Sequence, residues 1–253
     1  TYWKIVRELR KENGELGVIF VNTFISALLF RLGNVKKNIG YNREGRGFLL
    51  DFSPEINYHK HYINRYAFLF NEYIGNKYVY LPELSLRHTG QKTFQFDNSH
   101  KTIALYLGGE NKEFRKYPDE YAVQLLRLLN RQGYNLLLIG DENDNIKHTQ
   151  YAEEARIDHL INLTAHTTIE GFINTIANVD LIITIDSSAL HIAAAVKTPF
   201  IALMGLSTSP TSTILPKVPL GRILKIENNL IREEDYIRNI TPDLILKTIS
   251  ELI

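Results

Sequence analysis

Residues 180–195, Asp-Leu-Ile-Ile-Thr-Ile-Asp-Ser-Ser-Ala-Leu-His-Ile-Ala-Ala-Ala, leave a chain few ways to fold. The run Leu181–Ile185 is β-branched and almost wholly apolar, the pattern of a strand covered on both faces. It ends on Asp186, and Ser187 and Ser188 are good helix N-caps, so a helix is expected from about Ala189. The unit is strand, turn, helix. Its polar residues sit at the carboxyl end of the strand, where open α/β sheets bind ligands.

Such a turn favours an anion. A helix start presents unpaired N–H groups and the positive end of its macrodipole, and two serine hydroxyls add donors. His191 lies one turn in, and helical side chains lean toward the N-terminus, so its ring reaches the same place. Asp186 repels phosphate and suits sugar hydroxyls or loop N–H groups better. An ordinary capped helix with a half-buried histidine explains these residues equally well, so the rest of the chain must decide.

Strand and helix patterns alternate on both sides of this unit. Helical segments are expected at Tyr2–Glu12, Phe24–Leu32, Tyr62–Ile74, Asp119–Arg131, Asn143–Arg156 and Ile169–Asn178, and in the last segment, opened by Thr241-Pro242. Strands are expected at Leu16–Val21, Asn38–Tyr41, Ile103–Leu107, Asn135–Ile139 and Phe200–Met204. The alternation implies parallel sheets, and 253 residues suffice for two α/β domains. The expected division is a first domain over 1–80, a linker over 81–101, a second domain over 102–240 and a closing helix over 241–253. The chain enters directly on a helix whose following strand is already buried in character, and the first domain is short of strands, so a preceding segment is expected to be missing from this sequence.

Composition excludes several classes. There is no cysteine, hence no disulfide, thiolate metal site or cysteine nucleophile. No apolar run approaches the roughly 18–20 residues of a membrane span and no signal peptide is visible, so a cytoplasmic protein is expected. A net charge of +1 argues against nucleic acid. Residues 1–80 nevertheless carry +5, and the sharper reading of that excess is an anionic partner.

Four loops fall at carboxyl ends of second-domain strands: Gly108-Gly109 through Arg115, Gly140-Asp-Glu142, Asp186 to His191, and Gly205 to Pro210. Gly108 and Gly109 permit close backbone approach to a ligand. Arg115 or Lys116 can hold a phosphate, and Glu142 can accept from a ribose diol. There is no G-x-G-x-x-G, Walker sequence or Asp-x-Asp, and His59 and His61 lack further ligands at a recognisable spacing, so no metal is expected. Ser188 and His191 lack the nucleophile elbow of a hydrolase.

At this point the residues resemble a family. Asp186-Ser-Ser-Ala-Leu-His191-Ile-Ala-Ala-Ala, followed by Thr198-Pro-Phe-Ile-Ala-Leu-Met-Gly205, is similar to the signature of glycosyltransferase family 9, the heptosyltransferases of lipopolysaccharide synthesis. Gly108-Gly109 to Arg115-Lys-Tyr-Pro118 resembles its glycine turn and phosphate-binding segment, with Arg115 at the family's lysine. Gly140-Asp-Glu142 resembles the turn with the ribose-binding acid, and Thr167-Thr-Ile-Glu-Gly171 the loop near the base. Asn22-Thr-Phe-Ile-Ser26, Ile39-Gly-Tyr41, Glu44-Gly-Arg46 and His61 to Arg65 are similar to acceptor-side segments.

The resemblance implies a GT-B architecture, two Rossmann-like parallel-sheet domains facing a cleft, the first one incomplete here. It implies an inverting, metal-independent glycosyltransferase without cofactor. The donor would be a nucleotide-diphosphate sugar, ADP-heptose, held by Gly108, Gly109, Arg115, Glu142, Thr167, Asp186, Ser187, Ser188 and His191. The acceptor would be a phosphorylated glycolipid of the lipopolysaccharide core type, met by Arg43, Arg46 and Arg65 at the inner face of the inner membrane. The last helix would cross back to the first domain. Three departures stand out: Arg115 for lysine, Ser188 for the commoner glycine, and a loop after Gly205 one residue longer than usual. The family's amino-terminal turn, with the aspartate that serves as base, also has no counterpart. Glu44 is the first acid to consider in its place, although flanking Arg43 and Arg46 make it a poor base. The alternative is a non-catalytic nucleotide-sugar-binding relative that begins near Thr1.

Overall fold

The computed structural model describes residues 2–79, 85–96, 99–205, 215–216, 218–226 and 232–253. They form two compact units, one holding residues 2–79 and the other the described residues from 85 onward.

The first unit runs α1 (Tyr2–Glu12), β1 (Leu16–Ile19), α2 (Phe24–Leu32), β2 (Lys37–Gly40), a 3-10 turn at Gly47–Leu49 and α3 (Tyr62–Tyr73). β1 and β2 pair in parallel, with Val18 opposite Ile39. Ile19, Ala27, Leu49 and Leu50 make the centre of a small core, with Leu28 and Phe30 packed against it. Gly17 is there because α2 lies close: a Cβ would stand 2.5 Å from the Phe30 ring. The apolar run 16–21 reads as a strand buried throughout, but β1 stops at Ile19, Leu16 is 36% exposed and Phe20 51%. β1 has one described neighbour, β2, so part of its apolar surface faces solvent.

The second unit contains β3 (Thr102–Tyr106), α4 (Asp119–Arg131), β4 (Asn135–Leu138), α5 (Asn145–Ala155), β5 (Leu160–Asn162), α6 (Ile169–Ala177), β6 (Leu181–Ile185), α7 (Ser188–Val196), β7 (Phe200–Leu203), β8 (Gly221–Leu224) and α8 (Pro242–Ile249). The strands form one parallel sheet in the order β5-β4-β3-β6-β7-β8. Every residue of β3, β4, β6 and β7 is buried, as a central parallel strand requires. β5 and β8 carry no strand signal of their own. They are short edge strands, three and four residues long, recruited by pairing with β4 and β7. From β3 the chain winds outward through β4 and β5, then returns to β6 on the other side of β3. The order therefore reverses between β3 and β6, which is where doubly wound sheets open a ligand crevice.

Two segments differ from the sequence expectation. In the stretch expected as a linker, residues 85–96 are bonded to the second unit. The Leu86 N–H donates to the Ala195 carbonyl at 3.1 Å, and the Thr89 N–H and hydroxyl reach Asn174 Oδ1 at 3.0 and 3.1 Å. The hydroxyls of Thr93 and Thr175 are 2.6 Å apart. The closing helix, expected to return to the first domain, packs on α4 and β7. Thr241 caps it and Pro242 opens it as expected, while Ile245 and Ile249 are buried. The Tyr117 hydroxyl donates to the Ile240 carbonyl at 2.8 Å, fixing the approach to α8 on this unit.

Candidate functional site

The β6–α7 turn is built as its residues dictate. Ser187 is the N-cap of α7, with an extended backbone and a hydroxyl that accepts from the Ala189 N–H at 3.2 Å and lies 3.0 Å from the Thr184 hydroxyl. Ser188 is the first helical residue and is exposed, one position earlier than expected. Ala193, Ala194 and Ala195 are buried and let α7 lie close to the sheet. Asp186 and His191 are half-buried on either side of the helix start.

β3 and β6 are paired neighbours, Tyr106 standing opposite Thr184, so the glycine turn after β3 meets this helix start. Gly108 has φ +80°, a left-handed conformation that favours glycine, and a Cβ there would come 2.6 Å from Ile185. A Cβ on Gly109 would lie 2.5 Å from the Asn143 carbonyl oxygen, and one on Gly140 2.8 Å from the Asp144 carboxylate. The loops after β3 and β4 are therefore in backbone contact. From Gly109 a 3-10 turn at Glu110–Arg115 carries the chain across, and Arg115 Nη1 donates to the Asp186 carbonyl at 3.4 Å. Lys116, the other cation proposed from sequence, is committed: its ammonium is 2.8 Å from Asp119. Asp119 also takes Lys147 at 3.0 Å and the Tyr151 hydroxyl. Burial raises that carboxyl, but the bonds from Lys116, Tyr151 and Lys147 outweigh it and hold it at about 2. Gly205 lies against the Phe114 carbonyl, where a Cβ would come within 2.7 Å; residues 206–210 of that fourth loop lie outside the described residues.

Four side chains here were given no role from sequence. Asp141 and Asp144 form a capping box around the turn after Gly140, the Asp144 carboxylate accepting the Asp141 N–H at 3.0 Å. Asp144 is fully buried against Gly109, and its Oδ1 has no hydrogen-bond partner. Glu142, expected to meet the ribose, is exposed in the same turn, while the carboxylate packed against the glycine turn is that of Asp144. Lys112 lies 3.0 Å from Asp141 and 5.7 Å from the Tyr106 ring centre. Beneath them His148 is fully buried, Nδ1 2.8 Å from the Thr164 hydroxyl and Nε2 without a partner; burial lowers its pKa to about 4 against the nearby carboxylates of Asp144 and Asp141. The Asp-x-x-Asp at 141 and 144 is a legible cap signal. The burial of His148 is not legible. Thr167 is half-buried just before α6, in a loop tied to the Gly140 turn by the Ala165 N–H to the Gly140 carbonyl at 3.2 Å.

The first-unit candidates resolve differently. Arg46 is fully buried, bonding the carbonyls of Tyr41, Val21 and Thr23, Ser26 Oγ and Asn22 Oδ1. With its donors spent on these partners it holds loops together, which corrects its expected role as a phosphate contact. Arg65 is likewise buried, donating to Lys60 and Tyr58 carbonyls at 3.0 and 2.7 Å. Arg43 is exposed over the Tyr58 ring, 5.4 Å from its centre, and is the arginine of the three open to a ligand. The Glu44 carboxylate accepts the Phe24 N–H at 3.0 Å, at the start of α2. Among the described residues no cluster of three His, Asp or Glu side chains could hold a metal, and no helix is long and apolar enough to cross a membrane.

Comparison with known proteins identifies the family and the fold. The family model for glycosyltransferase family 9 (heptosyltransferase) matches residues 2–234. Lipooligosaccharide heptosyltransferase 2 of Haemophilus influenzae is 26% identical over 279 residues, covering 100% of this chain and 80% of the relative. The structure of the ADP-heptose lipopolysaccharide heptosyltransferase II of Escherichia coli superposes with TM-score 0.82 at 22% identity, over 99% of this chain and 80% of that one. E. coli heptosyltransferase WaaC, solved with ADP, gives 0.75 at 15% identity, over 100% and 77%. A chain with a doubly wound parallel sheet, a glycine turn at its switch point and a family match over nearly its whole length belongs to glycosyltransferase family 9, the heptosyltransferases, and is a glycosyltransferase.

Proposed function

We propose that the protein moves heptose from ADP-heptose to a phosphorylated glycolipid of the lipopolysaccharide core, with inversion and without a metal, at the cytoplasmic face of the inner membrane. One observation carries this reading: Gly108-Gly109, Arg115 and the start of α7 converge where the sheet order reverses between β3 and β6. The relatives' names and the ADP of the WaaC structure support the choice of donor.

In the reaction the acceptor hydroxyl oxygen attacks the anomeric carbon opposite the diphosphate. The bond to the β-phosphate oxygen breaks, ADP leaves with the electron pair, and the hydroxyl proton passes to a base. Arg115 and the N–H groups opening α7 stabilise the negative charge that builds on the leaving diphosphate. Asp186 accepts from sugar hydroxyls, and Glu142, exposed in the turn after Gly140, accepts from the ribose. Arg43 meets the acceptor's phosphate. Glu44 is a poor candidate for the base, since its carboxylate is occupied at the start of α2.

Removing a charged hydrogen-bond partner costs about 1.5–3 kcal/mol. Arg115→Ala therefore weakens ADP binding roughly 10- to 100-fold in calorimetry. An unchanged affinity would overturn the assignment.

A further inference from the structure

The ADP leaving group carries about three negative charges, and a site without a metal must answer them with side chains and N–H groups. Arg115 and the α7 start supply one full charge and a partial one, while Asp186 adds a negative charge beside them. Lys116 and Lys147 are held together on Asp119. Lys112 is placed differently. It stands in the turn that links Gly109 to Arg115, and its stem packs on Gly108, whose Cβ would meet Lys112 Cγ at 3.0 Å. Its ammonium is 3.0 Å from Asp141 Oδ2, with 18% of the lysine side chain exposed against 48% of the aspartate. The cation is thus largely sheltered at the glycine turn, while its carboxylate partner is the more solvated member. Asp141 has another occupation, since its Oδ1 accepts the Asn143 N–H at 2.8 Å. A lysine ammonium has three donors on a flexible four-carbon stem, so it can change partners without moving the backbone.

We propose that Lys112 is a second donor-phosphate contact, held by Asp141 in the free protein and exchanged onto a diphosphate oxygen when the nucleotide binds. This rests on the donor site proposed above and adds to it a residue and a competition between Asp141 and the ligand. The competition fixes the signs. Losing Lys112 weakens the nucleotide. Losing the Asp141 charge strengthens it, because the lysine is released. A purely structural bridge between the two loops gives no gain from either loss.

The experiment is a double-mutant cycle on ADP affinity by calorimetry, with AMP as a second probe and circular dichroism to confirm folding. Lys112→Met is expected to weaken ADP about 10-fold, a charged hydrogen bond's share, and AMP less. Lys112→Arg retains most of the affinity. Asp141→Asn, which keeps the bond to Asn143, is expected to tighten ADP about 3- to 10-fold, and that gain disappears in the Lys112→Met background. An equal gain in both backgrounds means that Asp141 acts by simple repulsion, and overturns the exchange. An unchanged ADP affinity in Lys112→Met overturns it as well. If Arg115→Ala weakens ADP and Lys112→Met does not, the donor site stands and this inference falls. If Lys112→Met weakens ADP and Arg115→Ala does not, Lys112 stands and the role of Arg115 falls.

Discussion

His148 shows how a single residue here answers to its surroundings rather than its type. Free histidine titrates near 6.5, but this ring is fully buried between Tyr106, Tyr151 and Thr164, and burial holds its pKa at about 4. The unfolded chain therefore binds the proton at a higher pH than the folded one. The stabilisation is complete above pH 6.5 and drains away as pH falls toward 4. At about 1.4 kcal/mol per pKa unit, the loss between pH 7 and pH 5 is about 2 kcal/mol. Urea unfolding at the two pH values measures it, and His148→Phe is expected to flatten that slope. An equally steep slope in the variant would assign the proton to another group. Arg46 makes the complementary point: an arginine beside a glycine-bearing loop suggests a ligand contact, yet its guanidinium ends on backbone carbonyls.

At the scale of elements, the site depends on how closely two loops approach. Gly109 lets the turn after β3 rest on the backbone of the turn after β4, and its obstacles are Asn143 O and the Asp144 Cα rather than a mobile side-chain tip. Gly109→Ala must push these turns apart. It is expected to cost about 1–3 kcal/mol in stability, as overpacking does, and to weaken ADP by displacing the turn that carries Lys112 and Arg115. Denaturant midpoints and ADP titration of the same variant test both parts; wild-type values in both would show that the turns tolerate separation. The α7 start is simpler, because Ser187 caps it by a local bond that any neighbourhood would allow.

For the molecule as a whole, two compact units with separate sheets imply that unfolding is not one two-state event. Calorimetry is expected to resolve two transitions, or a calorimetric enthalpy above the van't Hoff value. ADP should raise the transition of the unit built on β3–β8, by about 2.7 kcal/mol of stabilisation at a hundredfold excess over Kd. A shift of both transitions by the same amount would mean that the units unfold together. Gly108, Gly109, Arg115 and the start of α7, the donor site proposed above, all lie in the second unit.

What the sequence determined by itself is local. The buried strand Leu181–Ile185, the serine cap of α7, the glycines after β3 and the Thr241-Pro242 start of α8 each follow from a few adjacent residues and simple sterics. The family motifs extended that reading to the fold class, because their residues are spaced by the same strand-turn-helix units. Tertiary structure decided what depends on neighbours distant in sequence. β5 and β8 exist through pairing rather than propensity. The packing of α8 on α4 and β7 follows from where the apolar face of Ile245 and Ile249 finds cover. The same holds at the site. Sequence marked Arg46 by residue type, whereas burial and hydrogen-bond partners brought Asp144 and Lys112 against the glycine turn and withdrew Arg46 into the core. A side chain's role depends on which donors and acceptors reach it, and only the folded chain brings those together.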